Sequence, residues 1–255
     1  MSADDAPTAS ARTATAPWLV GVVSAPAAIA RFAATPARER VVDLLEVRVD
    51  LFEAPEDSKA LAPSLSSWAD SARAVEATGT PVLLTLRLAA EGGRWTRPEA
   101  ERLALYRAAV AAKACSWVDV EAASALAGDV TELARAGGVT SIVSHHDFAR
   151  TPPLAELERV VARCRAVGGD VPKIATKVNG DADRDALFAL AAAHAGEACV
   201  IGMGAPELRV ELPARGSRLA YAYVDAPTAP GQLSAPDMDA RLRAASRAYA
   251  ARRAP

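Results

Sequence analysis

Strand-length apolar runs alternate with helical segments along most of the chain, and no other feature restricts its fold as tightly. The runs are 18–24, 41–49, 82–88, 117–121, 140–144, 171–178, 198–203 and 218–224. Helical segments are expected at 25–40, 58–78, 99–114, 122–136, from Pro152-Pro153 to Val167, at 181–195 and at 237–253, and the stretch after Met203 reads as a loop. Eight strands alternating with helices over roughly 240 residues suit one α/β unit, a (β/α)8 barrel. An open doubly wound sheet would carry a Gly-rich phosphate turn after its first strand, and here that strand ends Ser24-Ala25-Pro26. The expected barrel is a single domain over 18–255. Residues 1–17, rich in Ala, Thr, Ser, Pro and Asp, lack a basic start followed by an apolar core and read as a disordered leader. A barrel directs its site to the C-terminal ends of its strands.

The sixth run, Val171-Pro172-Lys173-Ile174-Ala175-Thr176-Lys177-Val178, is apolar and β-branched between two turn-forming stretches, so it reads as a buried strand. The chain has only four lysines, Lys59, Lys113, Lys173 and Lys177, among 29 Lys and Arg residues, so half of them lie here. Arginine keeps its proton, whereas a desolvated lysine can become a neutral amine and attack a carbonyl. Lys173 is therefore the candidate to form an imine with a ketone. The alternative is a lysine at a strand end whose head reaches water.

Residues two apart on a strand face the same way. Glu46, Arg48 and Asp50 are expected to share a face, as are Thr85 with Arg87, Asp119 with Glu121, Ser144 with His146, and Lys173 with Lys177. Buried charges must pair, and a barrel mouth lets them do so around a polar ligand. His145 and His146 are adjacent and point to opposite faces, which makes a poor metal site, and no metal is expected. One imidazole across from a lysine imine suits general acid–base work. His194, at a helix end, reads as a surface residue that complements the helix dipole.

A net charge of −2 gives no reason to expect nucleic acid or membrane as partner. No apolar run approaches the ~18 residues of a membrane span. Cys115, Cys164 and Cys199 are widely spaced in apolar surroundings and read as buried thiols of a reducing compartment.

The ordered set Glu46-Val47-Arg48-Val49-Asp50, Thr85-Leu86-Arg87 with Glu91-Gly92-Gly93, Asp119-Val120-Glu121, Ser144-His145-His146-Asp147-Phe148, Pro172-Lys173-Ile174-Ala175 and Ala229-Pro230-Gly231-Gln232 resembles type I 3-dehydroquinate dehydratase, the Schiff-base class. The resemblance implies a cytoplasmic, homodimeric lyase on a (β/α)8 barrel that uses no cofactor and dehydrates 3-dehydroquinate to 3-dehydroshikimate. It implies that Lys173 forms the imine, that His146 moves the protons and that Glu91 orients His146. Glu46, Arg48 and Arg87 would hold substrate hydroxyls and each other, and Thr228, Ala229 and Gln232 would belong to a closing loop. The carboxylate-binding arginine is assigned to Arg209 over Arg218, by counting back from Ala229-Pro230-Gly231-Gln232.

Departures from the family pattern are His145 where Asn is usual, Thr228 where Ser is common, Lys177 where the family is apolar, and a loop about two residues short after Met203. Lys177 would either depress the Lys173 pKa or reach solvent. A class I aldolase-type lyase on a related keto acid, or a non-catalytic metabolite-binding relative, are the competing readings.

Overall fold

In the computed structural model, which describes residues 16–52 and 68–254, the alternation becomes a ring of parallel strands sheathed by helices. The strands are β1 Trp18–Val23, β2 Leu44–Arg48, β3 Val82–Thr85, β4 Trp117–Glu121, β5 Thr140–Asp147, β6 Val171–Lys177, β7 Cys199–Met203 and β8 Leu219–Tyr223. The helices are α1 Pro26–Ala34, α2 Ala69–Glu76, α3 Glu99–Ala111, α4 Ala127–Gly137, α5 Leu154–Ala166, α6 Asp181–Ala193, α7 Leu208–Ala214, α8 Ala235–Ala245 and α9 Arg247–Arg252. The ladder runs β7-β6-β5-β4-β3-β2-β1-β8, all parallel. Across the seam between β7 and β8 no ladder forms among the described residues. The Arg218 amide donates to the Ala198 carbonyl at 2.8 Å and closes the bottom of the ring.

Strand alternation sorts the side chains. Val20, Leu44, Leu83, Trp117, Ile142, Val171, Cys199 and Leu219 fill the lower barrel. Leu45, Val47, Leu84, Val118, Val120, Val143, Ile174 and Val200 point outward and join the core under the helices. Each such fully buried aliphatic contributes about 1.5–3 kcal/mol. The three cysteines are free and buried, and burial pushes each thiol up to about 12. Among the described residues no helix is long and apolar enough to cross a membrane.

Several expectations change, and the third strand stops at Thr85 while the fifth runs on to Asp147. A seventh helix, α7, occupies the stretch read as a loop. It is only 7 residues long and contains Pro213, so its periodicity is too brief to register in the sequence. The closing helix is two helices broken at Ser246, whose hydroxyl caps the second by accepting from the Tyr249 amide. The second strand is shorter than 41–49, and residues Val49–Leu51 form a 3-10 turn, so Asp50 leaves the face of Glu46 and Arg48. His194 is not a free surface residue. It ends α6 with Nε2 2.7 Å from Glu158 of α5. Most of the leader (1–15) and residues 58–67 of the expected helix 58–78 lie outside the described residues.

Candidate active site

Above the apolar lower layer the inward positions become charged. The register sets Thr85 beside Asp119, Glu121 beside Ser144, and Ser144 beside Lys173. Lys173 is buried, and its Nζ lies 3.0 Å from Asp119 Oδ2. Arg87 spans two carboxylates, reaching Asp119 at 2.7 Å and Glu121 at 3.0 Å, and also donates to Ser144 Oγ at 2.6 Å. Ser144 in turn donates to Asp119 at 2.7 Å. Glu121 is shared with the fully buried Arg102 of α3 at 2.7 Å. Burial by itself would raise Asp119, but the Arg87 and Lys173 cations and the Ser144 hydroxyl hold it far below the usual carboxylate range. The two carboxylates in turn hold Arg87 charged, against the opposing effect of its burial. The desolvated amine expected at Lys173 is therefore, at rest, a partner in this network.

The loop after β3 supplies the second group. Residues Ala89–Glu91 form a 3-10 turn that ends at Gly92, whose φ of 79° suits glycine. Gly93 then passes against the strand end: a Cβ there would lie 2.0 Å from the Arg87 carbonyl oxygen. The Trp95 amide returns to that same carbonyl at 3.0 Å, and the Arg94 amide donates to Asp50 at 3.1 Å. The folded-back loop holds Glu91 Oε2 2.8 Å from His146 Nδ1 and 3.2 Å from the His146 amide nitrogen. Phe148 stacks on the imidazole, with centroids 6.3 Å apart and planes at 16°. Burial, then the charges of Arg87 and Lys173, push His146 well below its ordinary value. Burial also lifts Glu91 to about 7, against the pull of Arg87.

One cavity of about 270 Å³ is lined by all ten residues the sequence singles out: Lys173, His146, Glu91, Glu46, Arg48, Arg87, Arg209, Thr228, Ala229 and Gln232. Its size suits a small metabolite and sits below the usual range for drug-sized ligands. Arg218 does not line it; its guanidinium lies over Trp117, 5.5 Å from the ring, among the lower-barrel residues. Arg209 reaches the cavity from α7 and donates to the Pro230 carbonyl at 2.9 Å, joining α7 to the 227–232 loop. In that loop Gln232 Oε1 accepts from the Thr228 amide at 2.8 Å and from its hydroxyl at 3.1 Å.

Glu46, Arg48 and Arg87 make no direct hydrogen bond or ion pair with one another, although the charge of Glu46 acts on both guanidiniums. Glu46 accepts from Thr85, and Arg48 forks onto Asp50 through two 2.8 Å bonds. Lys177 does not line the cavity; its amine lies against Gly204, where a Cβ would come within 2.6 Å of it. His145 is half-buried, and burial and Arg163 lower its pKa. Asp119, Phe148 and Tyr221 belong to the site's structure but were not among the expected site residues. Inward alternation on β8 is the signal that could have found Tyr221; on β4 it placed Asp119 among the inward charges but gave it no role at Lys173.

The family model of type I 3-dehydroquinase matches residues 20–248. A 3-dehydroquinate dehydratase of Thermococcus gammatolerans is 37% identical over 211 residues, 82% of this chain and 91% of that protein. One of Methanosarcina barkeri is 38% identical over 204 residues, 75% of this chain and 80% of its own. The crystal structure of 3-dehydroquinate dehydratase from Geobacillus kaustophilus superposes with a TM-score of 0.74 at 26% identity, covering 89% of this chain and 90% of that one. A match from the first strand to the last helix, on a barrel whose inward charges converge on one lysine, leads to one assignment: this chain belongs to the type I 3-dehydroquinase family.

Proposed function

We propose that the chain dehydrates 3-dehydroquinate to 3-dehydroshikimate through an imine at Lys173, with His146 as the general acid–base. The observation that carries this reading is a buried lysine amine opening on the same small cavity as the partly buried His146 imidazole and the Arg209 guanidinium. Among the described residues, Lys173 is the one lysine lining that cavity.

The amine of Lys173 adds to the C3 ketone carbon, a C–N bond forms, and the ketone oxygen departs as water; ammonium plus ketone becomes iminium plus water. The iminium draws electrons from the adjacent carbon, so His146 can take the C2 proton and leave an enamine. The enamine electrons return and expel the C1 hydroxyl, which leaves as water with the proton held by His146. Hydrolysis of the conjugated imine consumes one water and frees the lysine, for a net loss of one water.

His146 acts through Nε2, because Nδ1 is engaged by Glu91 at 2.8 Å. Its depressed pKa keeps it neutral and able to accept a proton near pH 7. Arg209 suits the substrate carboxylate, which a guanidinium fork recognises in a bidentate manner. Glu46, Arg48 and Arg87 face substrate hydroxyls, and Thr228, Ala229 and Gln232 close over them. Residues 18–255 act as one catalytic unit, assembled as a cytoplasmic homodimer. Light scattering on the purified protein tests the assembly, with twice the chain mass expected.

The test of the reaction is borohydride reduction with 3-dehydroquinate present, which should add ligand mass at Lys173. A Lys173→Ala protein that turns over normally defeats the mechanism, and turnover of a different ketone alone favours the aldolase-type lyase.

A further inference from the structure

Tyr221 contacts the reacting nitrogen and has no part in the scheme above. It faces inward on β8, in register with Val20 of β1, and it lines the cavity. Lys173 Nζ stands 4.4 Å from the centroid of its ring. The hydrogen-bonding partner of that nitrogen among the described residues is the Asp119 carboxylate at 3.0 Å. Tyr221 is only 9% exposed, and its hydroxyl is buried with no hydrogen-bond partner among the described residues. An unpaired buried hydroxyl is a cost, so it is the ring face and not the hydroxyl that the packing exploits here.

We propose that the face of Tyr221 is a cation-binding surface for the iminium formed at Lys173, and so a further catalytic residue. This rests on the lysine-imine reading given above. Condensation conserves charge at nitrogen but changes what holds it. The ammonium carries three N–H donors and the iminium one. Asp119 can still accept from that one, while the other two N–H donors are gone. Attraction to a ring quadrupole needs no N–H, so the ring's share of the stabilisation rises as the iminium forms. Being desolvated, the contact belongs to the stronger end of the cation–π range.

The experiment replaces Tyr221 by Phe and by its mono-, di- and trifluorinated ring analogues, introduced by nonsense suppression. Fluorination weakens the ring's negative face with little change of shape. The readout is the rate of borohydride trapping at Lys173 with subsaturating 3-dehydroquinate, with thermal melts in parallel. Tyr221→Phe, the conservative variant, should trap within about threefold of wild type. Trapping should then fall stepwise, to about tenfold lower for the trifluoro ring, which corresponds to about 1.4 kcal/mol. The melting temperatures should stay together, because packing is kept. Equal trapping across the series, in a protein whose wild type traps, overturns the role of Tyr221 alone. A wild-type protein that traps no adduct at all overturns the imine reading itself. Tyr221→Met gives the same comparison if the fluorinated proteins fold poorly: trapping equal to wild type refutes the proposal, and a loss of about tenfold supports it.

Discussion

Replacing Glu91 by Gln should erase the acid limb of the pH–rate profile. His146 Nε2 is a free base only when Nδ1 carries the proton and donates it to an ionised Glu91, 2.8 Å away. When Glu91 is protonated it donates to Nδ1 instead, and Nε2 holds the ring proton. Burial raises Glu91 to about 7, while burial and the Arg87 and Lys173 charges keep His146 well below its ordinary value. The pair therefore loses its proton with an apparent pKa of about 7. The competent fraction is about nine-tenths at pH 8 and about one-tenth at pH 6, so kcat/KM should fall about tenfold over that interval. In Glu91→Gln the only titrating member of the pair is a depressed imidazole, and the same interval should change the rate less than about twofold. The variant should be about 10²-fold slower at pH 8, having lost the charge that orients and supports the base. Stability adds an independent check. A carboxyl whose folded pKa is raised contributes stability below its ordinary value, and that contribution is lost as pH rises through about 7. The variant should therefore gain stability relative to wild type at pH 8 compared with pH 5. The assay is ultraviolet absorbance of the conjugated product across pH 5.5–8.5, with melts at the same pH values. A wild-type profile flat from pH 6 to 8, or a Gln variant that keeps a limb near 7, would refute the reasoning.

Lys173→Met should abolish borohydride trapping yet cost only about 1–2 kcal/mol in denaturant melts, because Asp119 keeps Arg87 at 2.7 Å as its counter-charge. Gly93→Ala should lower Tm by several degrees and reduce kcat, since the added Cβ meets the Arg87 carbonyl at 2.0 Å and must shift the loop that carries Glu91; unaltered kinetics would show that the loop yields freely. Arg209→Ala should raise KM by 30- to 100-fold, in line with the ~1.5–3 kcal/mol of a hydrogen bond to a charged group, and Arg218→Ala should stay within about twofold, so the reverse ranking in steady-state kinetics would return the carboxylate to Arg218.

What the chain determined by itself is whatever depends on neighbours in sequence. Alternating β-branched runs and helices specify a barrel, and period-two alternation specifies that Glu46, Arg87, His146 and Lys173 look inward. The short α7 was illegible because seven residues with an internal proline carry too little periodicity. Tertiary structure decided everything that depends on which strand lies beside which, and at what height. Asp119 is 54 positions from Lys173 in sequence, and only the β4–β5 and β5–β6 registers bring it to the amine. Arg209 and Arg218 are both plausible on spacing, yet one hangs from α7 over the mouth and the other lies over Trp117 among the lower-barrel residues. The paired state of Lys173 and the opposed shifts of Glu91 and His146 likewise arise from burial and from charges brought together across strands, since desolvation and Coulomb energy depend on distance in space and not on separation along the chain.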